Sequence, residues 1–374
     1  MSDLQVTEIE DKPTGALQIG MKQLFSRSDD EMFATPEALL DYLGHRESIT
    51  REIPIHSMYV EKYNDDDNLA FIVNGDEELV LNDHSFGQVC RLAKAPKDYL
   101  NRLSPELAAR NLNHGLTLRG EKNGIVSNTA GNLTRAIYSS KYERMSDLTV
   151  AKEILETAIP LGYKPAGTFA GTRGGMPAIN DLATGLYAGE HDLFLFLANE
   201  ELPFVIDGEE FFHTVIVWNG ETTMRQTGGL TSLYRFICGN HQIWGSRDTV
   251  QVQARHIGNG PRQVLDAMKR VIEGYSKYRA QVEEKFRLEH FIARNKPFAD
   301  TREEVQKKLE TYLNRKQSAS VLPFIDSELA YPKNPHSIYG VAQGLTLYAQ
   351  TMNNANARNA IEIQAGDLVA REIQ

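Results

Sequence analysis

The stretch that decides the fold is LFLFLANEELPFVIDGEEFFHTVIVWNG, Leu193–Gly220. Two apolar runs, LFLFLA and EFFHTVIVW, stand on either side of PFVI and the dipeptide Asp207-Gly208. Asp-Gly and Asn-Gly beside apolar runs favour tight hairpins, because both positions tolerate a positive φ. Together with the later run TVQVQARHI, this pattern predicts an antiparallel β meander over residues 193–257.

A long amphipathic helix is predicted to follow the meander, from Gly260-Pro261 to Pro297. Its apolar positions step by 4, 3, 4, 3 and 4, and they are Val264, Met268, Val271, Tyr275, Tyr278 and Val282. This heptad-like seam is short, so the sequence is compatible both with a helix packed on a sheet and with a coiled coil. We expect an α+β fold in which the helix covers one face of the meander and further helices surround it.

The chain before the meander is predicted to mix helices and short strands. Thr35 and Pro36 start a helix, and IPIHSMYV, NLAFIV and EELVL follow as strands, the last two joined at Asn74-Gly75. The spacing of Phe86, Val89, Cys90 and Ala93 indicates a helix with Cys90 in its core face. GLTLRG and NLTRAIYS are predicted strands, and SDLTVAKEILETAI is a predicted helix. We divide the chain into an acidic, irregular segment 1–34, a helical and β subregion 35–160, and the meander with its helices 161–374. Residues 35–374 are expected to form one body.

Composition and charge exclude several classes of protein. The 374 residues are 41% hydrophobic and 24% charged, with a net charge of −10. Residues 1–85 hold 19 Asp/Glu and 6 Lys/Arg, so the front is acidic and the rest is close to neutral. No apolar run approaches the roughly 20 residues that cross a bilayer, and the polar start is not a signal peptide. Two cysteines far apart predict no disulfide framework, and a reducing cytoplasm is expected.

The motifs that carry metal or catalytic chemistry are incomplete. Cys238-x-x-His241 has half of a zinc spacing without a second pair, so no metal or cofactor is predicted. The glycine-rich stretch GTFAGTRGG, Gly167–Gly175, lacks the Gly-Lys-Ser/Thr sequence that ends a phosphate-binding loop. We therefore predict that its glycines belong to an ordinary loop or hairpin. The apolar neighbours of Cys238 favour an unreactive thiol. The sequence also lacks the Gly-x-Ser-x-Gly motif that places a nucleophilic serine in α/β-hydrolases. No catalytic residue is predicted.

Arginines interleaved with aromatic residues offer a binding chemistry instead. Single-stranded nucleic-acid platforms stack bases on rings and meet phosphates with guanidinium groups. The residues of this type on or beside the meander are Arg225, Arg235, Asn240, His241, Trp244, Arg247 and Arg255. A second group in NLTRAIYSSKYER comprises Arg135, Tyr138, Lys141, Tyr142 and Arg144. An ordinary sheet surface with salt bridges is the open alternative.

Several stretches resemble a phage- and plasmid-borne family catalogued as domain of unknown function 932. They are LNDHSFGQVCRLAKAPKDYLNRLSPELAARNLN, RAIYSSKYERMSD, LYRFICGNHQIWG with RHIGN, and IYGVAQGLTLYAQTMNNANARNAIEIQAGDLV. The family more often has Val-Cys-Ser/Thr-Asn where this chain has Ile237-Cys238-Gly239-Asn240. The resemblance covers roughly residues 80–370. It implies a mobile-element protein in a host cytoplasm and brings no established catalytic residues.

Two hypotheses of function follow. The first is a non-enzymatic protein that binds or anneals single-stranded nucleic acid in phage recombination, replication or DNA protection. Single-strand annealing proteins have a similar β-β-β-α core and oligomerise through it, so a homo-oligomer is expected; this is an analogy of fold, which does not fix function. The alternative is a counter-defence factor whose acidic front engages a host protein. An enzyme of another type is a third hypothesis.

Overall fold

The structure is a computed structural model, and it describes residues 5–8, 29–55, 59–63, 68–73, 77–119, 124–165, 185–237, 240–244, 250–327, 331, 333–352 and 355–373. These residues form an α+β fold of fourteen strands and eleven helices, built on two sheets. The Asn74-Gly75 turn, the Gly167–Gly175 loop, Cys238 and Arg247 lie outside the described residues.

The strands are β1 (Gln5–Glu8), β2 (Thr50–Ile55), β3 (Tyr59–Lys62), β4 (Leu69–Val73), β5 (Glu77–Leu81), β6 (Ile125–Ala130), β7 (Leu133–Ser139), β8 (Lys164–Pro165), β9 (Leu186–Ala188), β10 (Leu193–Ile206), β11 (Glu209–Asn219), β12 (Thr227–Ile237), β13 (Asn240–Trp244) and β14 (Val250–Ala254). The helices are α1 (Pro36–Ser48), α2 (Asp83–Ala93), α3 (Lys97–Leu100), α4 (Pro105–Arg119), α5 (Asp147–Ala158), α6 (Gly260–Lys277), α7 (Arg279–Asn295), α8 (Arg302–Leu309), α9 (Arg315–Ile325), α10 (Ile338–Gln350) and α11 (Ala355–Glu372).

The predicted meander is confirmed as the centre of the larger sheet. This sheet has the order β1-β14-β12-β11-β10-β8, with β13 on β12 and β9 on β10. Asp207 and Gly208 both have positive φ, and Ile206 faces Glu209 in the register, as the tight Asp-Gly hairpin requires. Helix α6 packs on β12 and β14. The helix after the meander therefore covers one face of the sheet, as predicted.

The larger sheet is apolar on both faces, as expected for strands without a solvated side. One face packs against α1, α5 and α6 and contributes residues such as Leu195 and Val217 to a shared core. The opposite face carries a mostly aromatic cluster of Tyr187, Phe194, Phe196, Phe212, Ile216, Trp218 and Leu230. Beyond these, the far end of the β10–β11 hairpin packs against α7 and the C-terminal helices.

The smaller sheet has the order β2-β6-β7-β5-β4-β3 and is antiparallel except where β5 runs parallel to β7. Helices α2 and α4 pack against it, and their core includes Val89, Cys90 and Leu112. Cys90 is 2% exposed, which confirms the predicted core position of this residue.

The division of the chain differs from the predicted one. Helices α1 and α5, placed with residues 35–160, pack against the larger sheet rather than the smaller one. Segment 1–34 was predicted to be irregular, but Gln5–Glu8 pairs antiparallel with β14. An open sheet edge offers unpaired backbone groups to any extended segment, which explains this added strand.

Two predicted elements differ in type or length. GLTLRG was predicted as a strand, yet Gly115–Arg119 continues α4. A Cβ on Gly115 would lie 2.3 Å from the Ala93 carbonyl oxygen, so this glycine serves the close approach of α2 and α4. The predicted long helix is interrupted at Tyr278, which has non-helical ψ of 19°. The buried stripe on α6 runs through Val264, Met268 and Ile272, at the spacing of a helix on a sheet.

Candidate functional site

The connection from β11 to β12 is where the predicted binding residues meet. Asn219-Gly220 was predicted as a two-residue turn, but the strands are joined by residues 220–226. The Asn219 amide donates to the Met145 carbonyl oxygen at 2.8 Å and to Asp147 Oδ1 at 2.7 Å. Because Asn219 is held inside the protein, the chain after it forms a longer loop that carries Glu221 between the two sheets.

Glu221 is the centre of a buried ionic cluster, which we call the Glu221 cluster. It comprises Arg46, Arg135, Arg144, Asp147 and Glu221. Arg135 Nη1 donates to Glu221 Oε1 at 2.5 Å, and Arg144 Nη2 donates to Oε2 at 2.8 Å. Arg46 donates to Asp147 Oδ2 at 2.6 Å and lies 3.3 Å from Glu221 Oε1. The cluster joins α1, β7, the start of α5 and the β11–β12 connection.

A β-bulge places Arg135 in this cluster. In the β6–β7 register Asn128 faces Ala136 and Thr129 faces Thr134, so Arg135 is the extra residue of β7. A bulge bends its strand and redirects the side chain of the inserted residue. The guanidinium group of Arg135 thereby leaves the smaller sheet and reaches the larger one.

Burial and charge set the protonation of the two carboxyl groups. Burial opposes the ionisation of Glu221, but the guanidinium groups of Arg135, Arg46 and Arg144 outweigh it and lower the pKa of Glu221 to about 2. Complete burial, together with the nearby charge of Glu221, raises the pKa of Asp147 to about 6. Glu221 is therefore fully ionised at neutral pH, and it shares the neutralisation of the three arginines with Asp147, which pairs with Arg46, and with Glu47, which pairs with Arg144.

A row of rings lies beside the cluster. Tyr142 stacks on His256 with ring centroids 4.8 Å apart, and Tyr138 lies 4.5 Å from Tyr142. Tyr142 donates its hydroxyl to the Gly220 carbonyl oxygen at 2.9 Å. Burial raises the pKa of Tyr142 and lowers that of His256, so both rings are uncharged at neutral pH. The rings pack the two halves of the chain together.

Thr223 is strained and close to a histidine, which raises the question of nucleophilic catalysis. Its φ is 71°, unusual for a β-branched residue, and its Oγ1 lies 3.4 Å from His84 Nε2. The same nitrogen lies 2.9 Å from the Thr222 carbonyl oxygen, which only accepts hydrogen bonds. His84 Nε2 therefore carries a proton and does not act as a base towards Thr223. Thr223 lies in the same loop as Glu221, two residues further along the chain.

The structure brings together part of the predicted site and buries much of it. Arg135 and Tyr138 are 1% and 7% exposed, and the guanidinium of Arg225 is paired with Asp192 at 2.6 Å. Arg135 and Tyr138 are corrected from nucleic-acid contacts to structural residues, because their polar groups are engaged inside the protein; the Arg225 side chain is 26% exposed, and its guanidinium group is engaged by Asp192. The same holds for Arg144 in the Glu221 cluster.

Lys141 and Arg255 are exposed and lie on neighbouring segments. Tyr142 forms an isolated antiparallel bridge with Ile257, and the Glu143 amide donates to the His256 carbonyl oxygen at 2.9 Å. Ile257 is 61% exposed. We call Lys141, Arg255 and Ile257, exposed residues on the two segments that this bridge joins, the bridge surface. Arg235, Asn240, His241 and Trp244 lie on the β12–β13 hairpin, where Arg235 faces Phe211 and Gln242 in the register.

Sequence reasoning missed Arg46, Asp147 and Glu221. Arg46 lies on a helix whose apolar face is weak, so its burial left no pattern in the sequence. Glu221 directly follows Asn219-Gly220, which the sequence predicts as a turn, so a buried position was not expected there. The only local signal was Asn219, a polar residue at the end of an apolar strand.

In the residues that the structure describes, no group of three or more His, Cys, Asp or Glu side chains could hold a metal ion. Within the same residues, every helix is too short or too polar to cross a membrane. A scan against protein-family models and searches of curated proteins and of solved structures found no match for this chain. The resemblance to the mobile-element family stays a prediction.

The Cys90 thiol is expected to be unreactive in the folded protein. Burial raises its pKa to about 11, so the reactive thiolate at pH 8 should be about a hundredfold scarcer than for an ordinary thiol. Alkylation with iodoacetamide, followed by mass spectrometry of the Cys90 peptide, measures this. The urea-unfolded protein is the control and should be labelled fully within the same time. Equal labelling rates in the two states would contradict the core position.

Proposed function

We propose that this protein binds single-stranded nucleic acid, in the recombination, replication or protection of the DNA of a mobile element. The observation that carries the proposal is the bridge surface, where two cations of the predicted set are exposed beside an exposed apolar side chain. Cations meet phosphates, and an exposed aliphatic side chain offers an apolar surface to a base that is not stacked.

The order of the elements supports the same proposal. The meander β10–β11–β12 is followed, after β13 and β14, by α6 on one face of the sheet. The analogy to the β-β-β-α core of single-strand annealing proteins agrees with this order. The resemblance to a mobile-element family points to the same setting, and neither of them supplies a reaction.

The test is retention of a labelled 20-nucleotide single-stranded DNA at 50 mM salt and above. The double variant Lys141→Glu, Arg255→Glu is expected to weaken binding by at least about tenfold and to reduce the slope of log K against log salt by about 1.4, since each phosphate contact contributes about 0.7. Glu143→Gln should strengthen binding, because Glu143 is an exposed acid two residues after Lys141, and its backbone pairs with His256, which follows Arg255.

The matched control is Lys152→Glu, Arg315→Glu, which makes the same charge change at exposed positions on α5 and α9. It should weaken binding much less than the bridge variant. Equal losses in the two double variants would show a response to net charge alone. No retention of the strand by the wild-type protein at micromolar concentration would refute the proposal.

The alternative, a host-protein partner for the acidic front, stays a prediction. Deleting residues 1–34 to test it also removes β1 from the edge of the larger sheet. Neutralising the acids of residues 9–31 while keeping Gln5–Glu8 is the cleaner variant for a pull-down.

A further inference from the structure

A cavity of about 570 Å³ opens at one end of the smaller sheet, outside the Glu221 cluster. Four lining residues, Leu69, Leu81, Leu100 and Ala108, belong to the core of this sheet and are all less than 9% exposed, so polar groups supply most of the surface that a ligand would contact. Phe86 lines one side and packs partly buried against the same core. The volume is that of small-molecule sites, which range over roughly 300–1,000 Å³.

The rim of the cavity carries carboxamide groups. Asn68 and Asn101 are exposed, and within the described part of the chain neither side chain forms a hydrogen bond. Asn82 is occupied, because its Oδ1 accepts from the Ser85 amide at 2.8 Å and its amide donates to Glu190. Asp83 is paired with Lys97 at 2.5 Å. The rim thus offers two uncharged hydrogen-bonding groups and a neutralised ion pair.

A small apolar patch, an aromatic side and two carboxamides suit a flat ring with an uncharged polar edge. Asparagine carboxamides donate and accept at once, and they can pair with the N6 and N7 positions of adenine. Unstacked bases are commonly held against aromatic side chains. We propose that this cavity binds a nucleobase, of which adenine fits the carboxamides best; the inference deepens the proposed function and rests on it for the source of the base.

Contacts connect the cavity to the bridge surface. Tyr142 Oη accepts from the Thr223 amide at 3.2 Å, and Gln88 on α2 donates to Thr223 Oγ1 at 2.9 Å. Asn82, on the cavity rim, caps the same helix. These contacts join the helix that begins at the cavity rim to the segment that follows Lys141.

Isothermal titration of the full chain with adenosine tests the site. The variant Asn68→Ala, Asn101→Ala should lose about tenfold in affinity, since each lost hydrogen bond weakens binding a few-fold. Both residues are exposed, so folding should be preserved. The control Asn111→Ala removes an exposed carboxamide of α4 outside the cavity, whose amide donates to the Leu107 carbonyl oxygen, and should bind adenosine like the wild type.

The outcomes separate this proposal from the proposed function. If adenosine does not bind, or binds the double variant as well as the wild type, the nucleobase site is wrong, while salt-dependent retention of the DNA strand would still support strand binding. If adenosine binds and the double variant loses it, but no DNA strand is retained, the cavity is a nucleobase site and strand binding is wrong. If the wild-type protein binds neither adenosine nor the DNA strand, both proposals are overturned.

Discussion

Replacing Glu221 with alanine is expected to lower the free energy of unfolding by about 3–5 kcal/mol, the usual cost of removing one partner from a buried ion pair. The side chain is 1% exposed and contacts Arg135 and Arg144 directly. Without it, buried guanidinium groups that cannot lose their protons have less negative charge around them. Urea unfolding at pH 7, followed by circular dichroism, measures the change.

The control for this prediction is Glu201→Ala, which removes an exposed glutamate paired with Lys164 at 2.5 Å. Exposed pairs contribute up to about 1 kcal/mol, so the control should be close to the wild type. If the Glu221→Ala protein is as stable as the control, water reaches the Glu221 cluster, and the cluster does not hold the two sheets together.

The same pair of proteins has a predicted pH dependence. The pKa of Glu221 is lowered in the folded state, so its contribution is present above its ordinary value of 4.5 and is lost as the pH falls towards about 2. The stability difference between wild type and Glu221→Ala should therefore shrink between pH 5 and pH 2. Asp147 has the opposite sign: its pKa is raised to about 6, so its contribution is present below its ordinary 3.8 and is lost as the pH rises through 6.

The meander was predictable because its signals are local. Alternating apolar runs and an Asp-Gly pair specify strands and a turn within thirty residues, and the Asp207-Gly208 hairpin has the predicted geometry. The helix on its face followed from the same reasoning. A strand that is apolar on both sides needs a cover, and the next long apolar stripe in the chain provides it.

The Glu221 cluster was not predictable, because it depends on contacts between distant parts of the chain. Arg46 and Asp147 are 101 positions apart, and Arg135 and Glu221 are 86 apart. An arginine followed by aromatic residues looks the same in sequence whether it faces phosphate or a buried carboxylate. Only the bulge at Arg135 distinguishes the two, and a bulge is a property of the paired strands.

Replacing Phe286 with alanine is expected to lower the free energy of unfolding by about 3–5 kcal/mol, as for other buried phenylalanines. Phe286 is 1% exposed on α7, and its ring centroid lies 4.9 Å from that of Phe211 on β11. The truncation would leave a cavity between the helix and the far end of the β10–β11 hairpin. Urea unfolding at pH 7 again provides the measurement.

Phe291→Ala is the matched control, because Phe291 lies on the same helix and is 64% exposed. Removing its ring should change the stability by less than about 0.5 kcal/mol. If both variants lose little, α7 does not stabilise the hairpin and the arrangement of this core is wrong. If Phe291→Ala costs as much as Phe286→Ala only at high protein concentration, the exposed side of α7 is covered by a second copy of the chain. That result would support the predicted homo-oligomer, because the stability of an oligomer depends on protomer concentration whereas that of a monomer does not.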